Sequence, residues 1–252
     1  MLTKEELEKF KSLTGFNLGQ IETDYLQHLF LLFLSKYIKD ELIFKGGTAL
    51  QKTYSLNRFS EDLDFTLVKE IDIGSIIKKI TKDISNFGFE AEFNEFKSKT
   101  SKNYRLRIKG PLYNETEKSI ASLRIEISTR NDSLLKPEIK EIIPVYNDLQ
   151  PYLLLVMEIN EILSEKIRTI FQREKARDVY DIWFLLKREV KPDFKLINKK
   201  MKFFDLKFSK TQFSKKTNLV KKIWKEELKG YVNIIPNFKD VKKFIFSKII
   251  SI

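Results

Sequence analysis

The sequence predicts an α+β fold: a mixed sheet core with flanking helices, followed by a helical, basic C-terminal domain. Three observations predict it. Helical patterns open the chain, strands alternating at period two occupy its middle, and from about Tyr152 the apolar spacing turns helical. With 252 residues, 42% of them hydrophobic, the chain can bury a sizeable core, and it reads as globular rather than disordered. A boundary near Pro151 gives two parts, residues 1–150 and 151–252.

Each element has a local cause. "TKEELEKFKSL" opens with Thr3 as a cap and Glu6 three residues later, the pattern of a capping box. "IETDYLQHLFLLFLSKYIKD" is too densely apolar for a surface helix and predicts a half-buried one. "LIFKGG" predicts a short strand entering a turn, "TALQKTYSL" a short helix, and "DLDFTLV" an alternating strand. "IGSIIKKITKDISNFGF" is an amphipathic helix stopped near Gly88, and "EAEFNEFK", "NYRLRIKGPL" and "SLRIEIST" are three further strands. Pro137, Pro144 and Pro151 mark an irregular connection. The helical remainder is broken at Gly230 and Pro236, and its Ile162, Ile167, Ile170, Val179, Ile182 and Trp183 are expected in the core.

Composition removes several chemistries. The chain has no cysteine, which excludes disulfides, thiolate zinc sites and cysteine nucleophiles. Its one histidine, His28, lies in an apolar run and is expected to pack in the core. The charged N-terminus does not resemble a signal peptide, and the apolar run Leu29–Leu34 is far short of the ~20 residues a membrane span needs, so a cytoplasmic protein without membrane attachment is expected. Charge is uneven: residues 1–186 carry 28 Lys and Arg against 29 Asp and Glu, whereas residues 187–252 carry 19 against 6. Such a basic quarter suits a polyanionic partner, a nucleic acid or a strongly acidic protein.

The chemistry concentrates in "KGGTALQKTYSLNRFSEDLDF", Lys45 to Phe65. Residues two apart in a strand share a face, so Asp62 and Asp64 project together while Leu63, Phe65 and Leu67 face the core. Two carboxylates so placed repel one another unless a proton or cation joins them, and Mg²⁺ binds through one or two carboxylates plus substrate phosphates. Gly46 and Gly47 precede a helix start, where glycine permits close backbone approach and N–H groups favour anions. The P-loop pattern is absent, because no Lys-Ser/Thr follows the second glycine. Glu126, on the polar face of "SLRIEIS", is the candidate third carboxylate of a two-metal site.

"GGTAL", nine intervening residues and "SEDLDF" resemble the first motif of DNA polymerase β-type nucleotidyltransferases. More narrowly, "FKGGTALQKTY…RFSEDLDF" and the later "LSEKIRTIFQREKARDVYDIW" resemble the AbiEii/AbiGii toxins of type IV toxin–antitoxin systems, over roughly residues 40–186. The resemblance implies a nucleotidyltransferase-type sheet core. It implies that Gly46, Gly47 and Thr48 bind nucleotide phosphates with Ser60 beside the triphosphate, and that Asp62 and Asp64 ligate Mg²⁺, with Mn²⁺ as an alternative. Lys166 would meet the nucleotide, and Asp178 or Asp181 would be the acid of the last motif. Thr48 stands where many members have serine, and Glu126 where others carry a third aspartate. On one continuous helix Lys166 and Asp181 would lie within about 60° of one another and Asp178 about 120° away; a break at "QREKA" would leave both aspartates open.

The activity implied is transfer of a nucleotide from an NTP to RNA, with the 3′ end of tRNA as acceptor and a cognate antitoxin as partner. Two rivals stay open: a nucleotide- and RNA-binding protein that performs no transfer, and an enzyme that adenylylates a protein side chain.

Overall fold

A computed structural model of the protein describes residues 1–250. The chain divides into two compact units. One holds Met1–Ser55, Phe59–Asn131 and Pro137–Val156; the other holds Leu56–Arg58, Asp132–Lys136 and the chain from Met157 onward.

The first unit is built on a seven-stranded mixed sheet. Its strands are β1 (Leu42–Lys45), β2 (Leu63–Leu67), β3 (Ala91–Lys97), β4 (Ser101–Ile108), β5 (Ala121–Ser128), β6 (Glu138–Ile142) and β7 (Tyr152–Val156), in the order β3-β4-β5-β2-β1-β7-β6. The pairs β2–β5 and β1–β7 are parallel and the others antiparallel. Alternation sends Leu63 and Phe65 of β2, and Leu123, Ile125 and Ile127 of β5, into the core.

Helices complete this unit: α1 (Lys4–Glu8), α2 (Lys11–Thr14), α3 (Leu18–Tyr37), α4 (Gly46–Tyr54) and α5 (Ile73–Phe87). Thr3 and Glu6 form the capping box at α1, and Gly88 ends α5 at φ 120°, a conformation that favours glycine. Phe30 and Leu34 of α3, Ile73 and Ile77 of α5 and Phe65, Ile125 and Ile127 of the sheet surround one apolar space. His28 is buried, with Nδ1 2.8 Å from the Tyr152 hydroxyl.

Two readings of the sequence are corrected here. The connection marked by Pro137, Pro144 and Pro151 contains β6, and "YLLLV", read as the start of the helical part, is β7. A five-residue apolar run has no periodicity that separates strand from helix; here β7 lies between β1 and β6 and is a strand. Helix begins only at Ile159.

The second unit is helical: α6 (Ile159–Gln172), α7 (Ala176–Lys187), α8 (Phe194–Lys202), α9 (Lys210–Leu219), α10 (Trp224–Leu228) and α11 (Phe238–Ile249). Ile162, Ile167, Ile170, Val179 and Ile182 are buried as expected, but Trp183 is only half-buried, against Tyr180 and under Lys187. Lys200 of α8 is fully buried. Its Nζ meets Glu161 at 2.6 Å and Glu165 at 3.0 Å and donates to the Asp132 carbonyl, while Glu161 also accepts the N–H groups of Leu134 and Leu135. No helix among the described residues is long and apolar enough to cross a membrane.

Candidate active site

β2 places the carboxylate pair. It is flanked by β1 and β5, so Asp64 faces Lys45 on one neighbour and Glu126 on the other. Leu63 and Phe65 are buried on the core face while Asp64 stays half-buried, as does Asp62 just ahead of the strand. Glu126 is exposed. Among the described residues, no three or more Asp, Glu, His or Cys side chains converge as a metal-holding group.

Gly46 explains the glycine at the start of α4. Its φ is 78°, and a Cβ there would overlap Oδ2 of Asp64 and stand 3.0 Å from Asp64 Cβ and Cγ. Only a residue without a side chain lets the helix start approach that carboxylate so closely. Thr48 is fully buried and its hydroxyl donates to the Asp62 carbonyl, so this side chain fastens α4 to the residue preceding β2. Gly47 is buried beside it in the first turn, where helix N–H groups lack intrahelical acceptors.

The segment leading to Asp62 is held from both sides. The Ser60 N–H donates to Gln51 Oε1 at 2.9 Å, and Gln27 Nε2 donates to the carbonyls of Ser60 and Glu61 at 2.9 and 2.8 Å. Gln51 in turn donates to Asp24, a buried carboxylate that also takes bonds from Lys52 and Tyr146. Burial, the largest single influence, would raise the Asp24 pKa, but the surrounding charges and hydrogen bonds, led by Lys52, together outweigh it and hold the carboxyl below its ordinary value.

The later motif lies in the second unit, and its helix does break: Arg173–Lys175 separate α6 from α7. Lys166 Nζ nevertheless meets both candidate acids, Asp181 at 2.7 Å and Asp178 at 3.2 Å. Arg58 grips Asp181 with two bonds, Nε to Oδ1 at 2.6 Å and Nη2 to Oδ2 at 2.7 Å, and Arg173 pairs with Asp178 at 2.7 Å. Burial disfavours the charge of Lys166, yet Asp181 and Asp178 more than offset it and its pKa is raised. Burial likewise works against the Asp181 carboxylate, and Arg58 and Lys166 overcome it and lower its pKa. All these groups stay charged. Arg177 instead stacks its guanidinium over Tyr231, 4.6 Å from the ring centroid.

Arg58 and the clamps Gln27 and Gln51 were not among the residues singled out from the sequence. Arg58 sits inside the quoted motif, yet its partner is 123 residues away; the glutamines carry no spacing signal at all.

The first unit therefore supplies the Asp64 carboxylate beside a helix start that glycine allows close, with Asp62 two residues earlier on the chain. That donor set fits a hard divalent cation with substrate phosphates completing its shell. The solved structures that resemble the chain share this fold. MenT4, a nucleotidyltransferase toxin of Mycobacterium tuberculosis H37Rv, is 18% identical with a TM-score of 0.72, over 98% of this chain and 88% of that one. JHP933 of Helicobacter pylori is 22% identical with a TM-score of 0.64, over 92% and 91%. A putative nucleotidyltransferase of H. pylori is 24% identical with a TM-score of 0.61, over 88% and 92%. No curated protein matches the chain in sequence. The model of the nucleotidyl transferase AbiEii toxin family of type IV toxin–antitoxin systems matches residues 33–242, which take in both motifs and most of both units. By that match the chain belongs to the AbiEii family and is a nucleotidyltransferase toxin.

Proposed function

We propose that the protein transfers a nucleoside monophosphate from an NTP to the 3′ end of an RNA, with tRNA as the acceptor. The observation that carries this reading is the approach of the α4 start to Asp64, which leaves no room for a side chain at Gly46. A helix start and a carboxylate so close together suit a substrate that brings phosphates and a cation to one place.

Asp62 and Asp64 would hold Mg²⁺, with Mn²⁺ as the alternative, which when bound supplies neutralising charge to phosphate oxygens. The N–H groups of the first α4 turn, at Gly46, Gly47 and Thr48, would take triphosphate oxygens, with the Ser60 segment alongside. Lys166 would bring positive charge to the nucleotide while Asp181 and Asp178 hold it in place; Glu126 would add a carboxylate at the edge of the site. In the reaction, the acceptor hydroxyl oxygen bonds to the α-phosphorus and gives up its proton, and the α–β phosphoanhydride bond breaks to release pyrophosphate. Positioning and electrostatics do the catalytic work, without a protein nucleophile. The basic quarter, 19 Lys and Arg against 6 Asp and Glu, would hold RNA by its backbone, so binding should weaken as salt rises. A type IV system implies a cognate antitoxin as the further partner.

The test is label transfer from each of the four α-³²P-labelled NTPs, with Mg²⁺ and total RNA, resolved on a denaturing gel beside an Asp62→Ala/Asp64→Ala variant. Label in tRNA-sized RNA that the variant lacks is the expected result. Label on protein alone would replace RNA transfer with protein modification, and RNA labelling that survives the double substitution would sink the assignment of the carboxylates.

A further inference from the structure

One strand beyond the carboxylate pair, the sheet of the first unit presents a second set of side chains in register. Glu126 of β5 faces Asn103 of β4, which faces Phe96 of β3; Arg124 faces Arg105, which faces Asn94. Residues directly opposite on neighbouring strands project from the same face, and the intervening Leu123, Ile125, Tyr104 and Leu106 are buried on the other. Phe96, Asn103, Arg105, Arg124 and Glu126 line, together with Asp62, one open groove of about 320 Å³.

Two features of this groove are unfavourable for a surface with nothing to bind. Arg105 and Arg124 are both exposed and directly opposite one another, an arrangement that destabilises a sheet, and among the described residues neither forms an ion pair. Phe96 is 50% exposed, with the Arg105 guanidinium 5.7 Å from its ring centroid. An aromatic ring open to solvent beside paired cations is what a single-stranded nucleic acid requires: a platform for one base and positive charge for its backbone. A duplex end does not suit it, because its bases are stacked and their faces covered.

We infer that this groove is the subsite for the single-stranded end of the polynucleotide acceptor, with a base stacked on Phe96 and a backbone phosphate held between Arg105 and Arg124. The inference rests on the RNA acceptor proposed above. The groove suits the acceptor better than the donor: a phosphodiester brings one negative charge, which two arginines can match, whereas a triphosphate would bring several into a groove that also contains Asp62 and Glu126. The same geometry puts the end of the strand alongside Asp62, where its hydroxyl is needed.

The experiment is fluorescence anisotropy of a labelled eight-nucleotide single-stranded RNA, with separate KM values for RNA and for NTP in the transfer assay. The proteins compared are the unmodified chain, Phe96→Ala, Phe96→Tyr and Arg105→Ala/Arg124→Ala, each checked for an unchanged melting temperature. Phe96→Ala should weaken oligonucleotide binding about tenfold and Phe96→Tyr should restore it. The double arginine variant should flatten the dependence of log affinity on log salt by about 0.7 for each phosphate it no longer neutralises. The KM for RNA should rise in both with the KM for NTP unmoved. Affinity unchanged in every variant, or a rise confined to the KM for NTP, would overturn the inference. If the unmodified chain binds the oligonucleotide through Phe96 yet labels no RNA, the transfer reading fails and the subsite stands.

Discussion

A Cβ on Gly46 would overlap the Asp64 carboxylate, so the first residue of α4 and the central acid of β2 occupy adjoining space. Alanine at position 46 must also adopt a φ of 78°, which costs an L-residue roughly 1–2 kcal/mol. Gly46→Ala is therefore expected to lower transfer by at least about 100-fold, since an ångström of misplacement is enough for that. Its loss of stability should be only about 1–3 kcal/mol. Initial rates and thermal melting of the same preparation check both numbers; a variant with full activity would remove the Gly46–Asp64 approach from the mechanism.

Arg58 and Asp181 form a fully desolvated two-bond pair with Lys166 as a third partner. Asp181→Asn leaves two buried cations with one acid removed, and should cost about 3–5 kcal/mol of unfolding free energy in urea titration. Arg58→Lys keeps the charge but loses the fork, and should fall between that variant and the unmodified chain. The sign with pH follows from the depressed Asp181 pKa: its contribution is present above the unfolded value and is lost as pH falls through the folded one.

Lys200 bridges Glu161 and Glu165, and it has no exposed surface. In Lys200→Met both carboxylates lose that bridge, and a loss of about 3–5 kcal/mol is expected at pH 7. Urea midpoints of the variant and the unmodified chain at pH 7 test this; an unchanged midpoint would contradict it.

His28 is held neutral. Burial first and the nearby Lys52 second lower its pKa, Asp24 opposes them, and the result is about 3. The unfolded chain takes up a proton at about 6.5 while the folded chain does not, so stability should fall by about 1.4 kcal/mol per pH unit as pH drops below about 6.5. Glu22, whose pKa burial raises, works in the other direction at the acid end. Because the chain has a single histidine, His28→Gln should flatten the melting-temperature profile between pH 6.5 and 5.

What could be read from the sequence was local. The Thr3–Glu6 cap, the glycine turn and the alternation of "DLDFTLV" and "SLRIEIST" each follow from spacing within a few residues, and each has its counterpart in the structure. β6 and β7 were not legible, because "EIKEI" stands among prolines and "YLLLV" has no alternation. The acids of the later motif could not be ranked for the opposite reason. A helix break at Arg173–Lys175 cancels any argument from angular spacing, and only tertiary packing brings Lys166 to both Asp178 and Asp181. Arg58 shows the same limit, since its meaning depends on a residue 123 positions later.

The order in which these parts leave the ribosome gives the interleaved units a consequence for the cell that makes them. Asp62 and the Asp64 of β2 are synthesised early, but β7, the parallel neighbour of β1, comes some ninety residues afterwards and Asp181 later still. A prematurely released chain ending before residue 181 carries Asp62 and Asp64 while leaving the Arg58 guanidinium, four residues ahead of Asp62, without its two-bond partner. Fragments that end before residue 181 should thus be less stable than the complete chain, and pulse-labelled truncated chains are expected to be cleared faster in the cell.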